Sequence, residues 1–426
     1  MKYFFFSLFI SFLSFSQNKT VIKCGKLADV KTGKVLENQT IVILNNTIEK
    51  IVSGDYKLHE TDVYYDLSKF TVMPGLIDMH VHVEHQTNAK QYLEEFTLNE
   101  ADVAFRAVGY VKTTLNSGFT SVRDLGGTGV NISLRNAIDS GLIEGPRIFT
   151  AGKSIASTGG HADPTNGYRK DLMGNPGPDA GVANGLDECI KAVRQRYKDG
   201  ADCIKITASG GVLSVARSGE NSQFTIEEIK KIVETAKDYG FKVAAHCHGE
   251  EAMKRAVLGG VHSIEHGTYM SEEVMQLMKD RGTYLVPTIA AGKAVGAFAK
   301  KPNYYPDVVV PKALAIGPKI QGTFAKAYKF GVKIAFGTDA GVYEHGENWK
   351  EFVYMNEVGM PFMEILKTAT MNAADLLGQA DKLGSLEAGK LADIIAVDGN
   401  PEKDINAMGK VVFVMKGGKV FKILSK

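Results

Sequence analysis

Over residues 20–72 the chain alternates apolar and polar positions in short runs: residues 21–25, then 40–44, an Asn45-Asn46 turn, and 47–51. A two-residue asparagine turn between such runs predicts a hairpin, so this stretch reads as a small sheet. The same texture returns only at the far end, in residues 392–397 and 411–415, followed by a Gly417-Gly418 turn and residues 419–424. The economical expectation is one β-sandwich made from both termini, residues 17–72 and 381–426.

Between the ends the pattern changes. Short apolar runs at residues 76–82, 120–125, 147–151, 202–207, 242–246, 260–265, 283–287 and 333–338 alternate with stretches of helical periodicity. That order predicts βα units around a parallel sheet, and eight strands is the number that closes a (β/α)8 TIM-like barrel, here over residues 73–380. Residues 225–239 illustrate the helices: Ile226, Ile229, Ile232, Val233 and Ala236 recur at helical intervals, and Thr225 with Glu228 forms a capping box. The Gly- and Pro-rich residues 174–185 read as a surface loop. The expected fold class is therefore α/β.

Length and composition agree with this picture and add little to it. The 426 residues suffice for a barrel with an accessory module, 44% are hydrophobic and 23% charged, and 50 Lys and Arg nearly balance 48 Asp and Glu. Nothing in that balance asks for nucleic acid or an anionic membrane. Residues 1–16 change the picture more: a short basic start, an apolar run, and small residues Ser14 and Ser16 before Gln17 predict a cleaved secretory signal peptide. The run is well short of the roughly 20 residues a spanning helix needs, so no stable membrane anchor is expected. Export near Ser16/Gln17 would place the mature chain in a periplasm or outside the cell. Cys24, Cys189, Cys203 and Cys247 are widely scattered in a chain that needs no staples, and all four are expected to be free and mostly buried. A homo-oligomer is compatible with the composition.

The chemistry lies where the apolar runs end. His80 and His82, two residues apart on the first predicted strand, share a face, because side-chain direction on a strand repeats every two residues. Alone, that pair reads equally as core histidines or as metal ligands. Lys205 in the fourth strand, His246 at the end of the fifth, His266 after the sixth and Asp339 after the eighth recur at the end of a barrel where active sites form. Histidine and carboxylate suit Zn²⁺ and similar divalent ions.

With these motifs together, Gly75-Leu76-Ile77-Asp78-Met79-His80-Val81-His82, Ile204-Lys205-Ile206-Thr207-Ala208-Ser209-Gly210-Gly211, Ala244-Ala245-His246-Cys247-His248-Gly249, Ser263-Ile264-Glu265-His266-Gly267 and Gly337-Thr338-Asp339-Ala340-Gly341, the chain resembles the amidohydrolase superfamily, in its secreted prolidase-like and imidazolonepropionase-related branch. The resemblance covers essentially the whole mature chain and extends to the closing residues 384–394. It implies a two-metal hydrolase: His80, His82 and Asp339 on the more buried ion, His246 and His266 on the more exposed one, and Lys205 as a bridging carbamate formed from CO₂. Asp339 would also be the general base that activates a metal-bridging hydroxide. Asp78 and Glu265 would orient ligand histidines, while His248 would be turned away by the following helix. His161, in a Gly-rich loop, resembles the position that reaches a substrate carbonyl or carboxylate; His345 and Arg217 are further substrate-binding candidates. The implied activity is hydrolysis of an amide bond in a small substrate, a dipeptide or an N-acyl amino acid. The alternatives are a cyclic-amide hydrolase of the imidazolonepropionase type and a catalytically silent binding protein on the same fold.

Overall fold

The computed structural model describes residues 18–424. The signal peptide expected over residues 1–16 lies outside the described residues. The chain opens with strands β1 (Lys19–Asp29), β2 (Lys34–Leu44), β3 (Thr47–Ser53) and β4 (Val63–Pro74). Asn45, with a φ of 57°, makes the turn between β2 and β3. Asparagine tolerates that left-handed conformation because its side chain bonds the local backbone.

From Gly75 onward the chain enters the barrel, through β5 (Leu76–Val81), β6 (Phe119–Asp124), β7 (Arg147–Thr150), β8 (Ile204–Thr207), β9 (Val243–Cys247), β10 (Ser263–His266) and β11 (Tyr284–Val286). A side chain at Gly75 would meet the Thr120 side chain at 2.2 Å, so this crossing point has room only for glycine. The strands form two parallel groups, β5-β6-β7 and β8-β9-β10-β11. Lone pairings join the groups: residues 155 and 206 pair between β7 and β8, with Ile155 N–H donating to Lys205 O at 2.8 Å.

The eighth predicted strand is present as a path but not as a regular ladder strand. Ala335 N–H donates to Leu285 O (3.0 Å), Met79 N–H to Phe336 O (2.9 Å) and His82 N–H to Ala340 O (2.8 Å), so residues 333–340 close the barrel between β11 and β5. The pleat is broken because Asp339 takes a φ of 60° and Gly337 presses on the backbone of His80, where a Cβ would come within 3.1 Å of its nitrogen. Helices fill the outside. That at Ile226–Asp238 starts as expected, with Glu228 N–H donating to Thr225 Oγ1 (3.2 Å) and Thr225 N–H to the Glu228 carboxylate (2.9 Å). Residues 174–185 hold one short 3-10 turn, Pro178–Ala180, and are tied down through Val182.

The chain then returns through β12 (Ile394–Val397), β13 (Val411–Lys416) and β14 (Lys419–Ile423) to the sheet it left. Both termini share one seven-stranded mixed sheet in the order β14-β13-β12-β4-β1-β2-β3. The sheet wraps a core of its own, in which Ile22, Ile41, Leu67, Ile394 and Phe413 are buried together and the Tyr65 and Phe413 rings meet at 5.5 Å. Gly417 and Gly418, both with positive φ, make the last hairpin turn. All four cysteines are free and buried. Among the described residues no helix is long and apolar enough to cross a membrane.

Asp393 joins the two modules: its carboxylate accepts from Arg147 of β7 at 2.9 Å and from the Gly417 N–H at 2.8 Å. Replacing it strands a half-buried guanidinium and a turn N–H. Asp393→Ala should therefore cost about 1–3 kcal/mol, measured as a lower urea midpoint, whereas an unchanged midpoint would show that the terminal sheet docks through its apolar contacts alone.

Candidate active site

The interior face of β5 carries Asp78 and His80 and continues to His82 just past its end, while Ile77 and Met79 face outward into a separate apolar cluster. This strict alternation on a buried strand brings both imidazoles to the carboxyl end of the barrel. His80 is 1% exposed, and its Nδ1 donates to Glu265 Oε2 at 2.9 Å. His82 Nδ1 donates to Gly126 O at 2.7 Å. Each ring therefore carries its proton on the outer nitrogen and turns an Nε2 lone pair inward.

Those lone pairs converge on Asp339 Oδ1, 3.5 Å from His80 Nε2 and 3.3 Å from His82 Nε2. That buried oxygen has no hydrogen-bond partner. Burial pushes the Asp339 carboxyl up, but His80, His82 and Lys205 together outweigh it and hold the group at about 2. Against burial, Asp339 raises the His82 imidazole, so positive charge, a proton or a metal cation, is favoured between these groups, and the donor types suit a divalent ion.

The remaining predicted residues meet at the same place. Lys205 is buried on β8 with its Nζ 3.5 Å from His80 Nε2. Burial drives its amine down to about 8 against the opposing pull of Glu265 and Asp339. His246, on β9, gives its Nε2 to Gly210 O (3.1 Å), and His266, ending β10, its Nδ1 to the Thr288 hydroxyl (2.7 Å). The two rings meet at 70° with centroids 4.6 Å apart. Burial holds His246 and His266 well below the usual imidazole range and brings His80 to about 4. Neutral imidazoles beside a carboxylate are what a divalent ion requires. Two groups of donor atoms come within 4.8 Å of one another: His80, His266 and Asp339, and His246, His248 and His266. His266 thus lies within reach of both.

Backbone conformation marks the same spot. Six described residues other than glycine have positive φ; three are asparagines, and the others are His266 (70°), Thr288 (51°) and Asp339 (60°). Such angles are unfavourable for these side chains, for β-branched threonine above all, and strain of this kind collects at functional sites.

Glu265 orients the His80 ring as expected. Asp78 acts differently: its carboxylate accepts from the His80 and Thr338 N–H groups (both 3.1 Å) and from Asn348 Nδ2 (2.8 Å), holding backbone and not a ring. His248, expected to turn away, is instead buried in the cavity wall, because Thr268 Oγ1 (2.9 Å) holds its ring and Ser209 Oγ (2.9 Å) accepts from its backbone N–H before the helix begins. His161 also lines the cavity and stacks on His246 at 4.3 Å. His345 stands behind it, donating from Nε2 to His85 O at 3.0 Å, and so supports the loop bearing His85. Arg217 is exposed and does not border the cavity. Sequence reading missed His85, which lines the cavity stacked on His82 at 5.3 Å; only its place three residues after the His-x-His pair could have pointed to it. The cavity itself is about 260 Å³, with aliphatic side chains above the polar floor.

Comparisons with known proteins agree with this geometry. Residues 71–421 match the model of the amidohydrolase family. A crystal structure of an Xaa-Pro dipeptidase with methionine bound in its active site is 54% identical, with a TM-score of 0.93 over 95% of this chain and 100% of that one. A prolidase complexed with N-methylphosphonate-L-proline is 32% identical, with a TM-score of 0.86 over 96% of this chain and 100% of that one. Ochratoxinase of Aspergillus niger is 33% identical over 95% of this chain and 86% of its own length.

Glu265 is the carboxylate on which the His80 tautomer depends. Glu265→Gln should lower affinity for divalent metal about ten- to a hundredfold, read by competition with a chromophoric chelator, and an unaltered affinity would separate Glu265 from metal binding.

Proposed function

The chain belongs to the amidohydrolase family, and on that premise we propose that it is a metal-dependent dipeptidase that cleaves the amide bond before a C-terminal residue such as proline, or that of an N-acyl amino acid. The observation carrying this reading is the convergence of the His80 and His82 ring nitrogens on Asp339 Oδ1, in a chain 54% identical to an Xaa-Pro dipeptidase over 95% of its length. His80, His82 and Asp339 are assigned to the more buried ion, and His246 and His266 to the more exposed one. Zinc is the choice from ligand type.

Lys205, buried with its Nζ 3.5 Å from His80 Nε2, would join the two sets as a carbamate. Its depressed amine supplies a neutral fraction near pH 8, and attack on CO₂ forms the N–C bond with release of one proton. When bound by these residues, divalent ions would supply Lewis acidity to a water molecule and to the scissile carbonyl. Asp339 accepts the proton lost by the attacking water and delivers it to the leaving nitrogen, so the amide breaks without expelling a free amide anion. His161, at the cavity wall, donates to the carbonyl oxygen as negative charge develops there. The aliphatic upper wall excludes bulk water and accommodates apolar side chains.

Residues 1–16 complete the proposal as an export signal, with the mature chain outside the cytoplasm. Sequencing the N-terminus of protein from its native host should give Gln17 or a neighbour; recovery of Met1 would overturn export.

The activity is tested on purified protein with a panel of Xaa-Pro and other dipeptides, N-acyl amino acids, lactams and hydantoins. About two divalent ions per chain and turnover of a dipeptide are expected, and Asp339→Asn should lower kcat by about 10²–10⁴-fold. Preference for lactams or hydantoins would move the assignment to cyclic amides, and full metal content without any turnover would leave a binding protein.

A further inference from the structure

His246 and His266 each have a second histidine stacked upon them. His161 lies over His246 with planes 26° apart, and His248 lies over His266 at 4.9 Å with planes 21° apart. His246 and His266, by contrast, meet edge to face, which lets their in-plane lone pairs aim at a common point. A ring stacked on its neighbour aims its nitrogen alongside, about one ring thickness away. His248, stacked on His266, also meets His246 edge to face at 4.7 Å with planes 89° apart, and the donor atoms of His246, His248 and His266 cluster within 4.8 Å, so its free nitrogen borders the ion position at the cavity wall.

His248 is locked there. The Thr268 hydroxyl occupies its Nδ1, Ser209 Oγ accepts from its backbone N–H, and its carbonyl accepts from Tyr269 N–H at 2.9 Å. That contact leaves Nε2 facing the cavity, where the tautomer in which Thr268 donates to Nδ1 presents an Nε2–H. The cavity wall contains no arginine among the described residues, and its one lysine is Lys205. Val212, Leu213, Val295, Ile316, Ile320 and Val342 make the rest of the upper wall aliphatic. A carboxylate cannot be left against such a surface without a donor. One further charge favours an anion here. Lys312 donates to the carbonyls of Gly211 (3.0 Å), Ser214 (2.7 Å) and Ala216 (2.7 Å), and its positive field reaches both His161 and His248.

We propose that His248 is a substrate-binding residue whose Nε2–H holds the C-terminal carboxylate of the dipeptide, next to His161 at the scissile carbonyl. This rests on the dipeptidase reading. It also explains why a chain without a cavity arginine can take a free dipeptide: an imidazole in van der Waals contact with a ligand histidine supplies the donor within a small space.

The test compares Met-Pro with its C-terminal amide. His248→Ala should raise KM for Met-Pro at least about tenfold, leave KM for the amide unchanged and retain full metal content; His248→Asn, which keeps a donor, should lose less. Equal effects on acid and amide would overturn the proposal, as would loss of bound metal, which would make His248 a ligand instead. Calorimetric titration of the zinc-loaded protein with free proline and with prolinamide gives a reading independent of turnover: His248→Ala should weaken proline alone. Should the unmodified enzyme cleave no dipeptide, the proposed function falls, while the titration still decides the role of His248.

Discussion

The buried carboxylate of Glu265 is the interaction on which the centre of the barrel depends. It accepts from His80 Nδ1 and from Arg123 Nη2, both at 2.9 Å, while Arg123 Nε donates to Met79 O at 2.7 Å. One ion pair thus joins β5, β6 and β10 at their centre. Burial alone would protonate such a carboxyl, but Arg123, His80 and Lys205 hold it at about 2. An ionised Glu265 fixes the proton of His80 on the outer nitrogen, and only then does the inner nitrogen become a lone pair. Removing one member of a fully buried pair typically costs about 3–5 kcal/mol, so fold and site share this contact.

A second constraint runs through the irregular eighth strand. A regular pleat over residues 333–340 would send the Asp339 side chain along the alternating pattern; the left-handed turn at Asp339 breaks the pattern and delivers the carboxylate onto the two β5 imidazoles. Asp78 stabilises the departure by accepting from Thr338 N–H and Thr338 Oγ1 (2.6 Å). His266 and Thr288 repeat the device one layer away: two left-handed residues, joined by a 2.7 Å hydrogen bond, aim the imidazole inward. The strain of these conformations is offset by the hydrogen bonds around them.

The terminal sheet serves the site only indirectly. Its strand β4 runs through Gly75 into β5, and Asp393 on the returning segment clasps Arg147. The first barrel strand, which bears both leading histidines, is thereby anchored at its entry by a separate core.

Much of this was legible in the residues themselves. Alternation in the terminal segments, eight apolar runs separated by amphipathic helices, and His80, His82, Lys205, His246, His266 and Asp339 at run ends specify a barrel and a cluster of donors, because strand and helix periods are local properties of the chain. Seven of the eight runs form strands with ladders; the eighth has the composition of a strand, and its departure rests on a positive φ at Asp339 that no period encodes. Tertiary structure alone decided which nitrogen of each histidine faces inward, since that depends on Glu265, Gly126, Gly210 and Thr288, distant in sequence from the rings they hold. It also decided that His248 and His85 join the cavity while Arg217 stays outside, because the direction of a side chain on a loop is set by contacts made across the barrel and not by spacing along the chain.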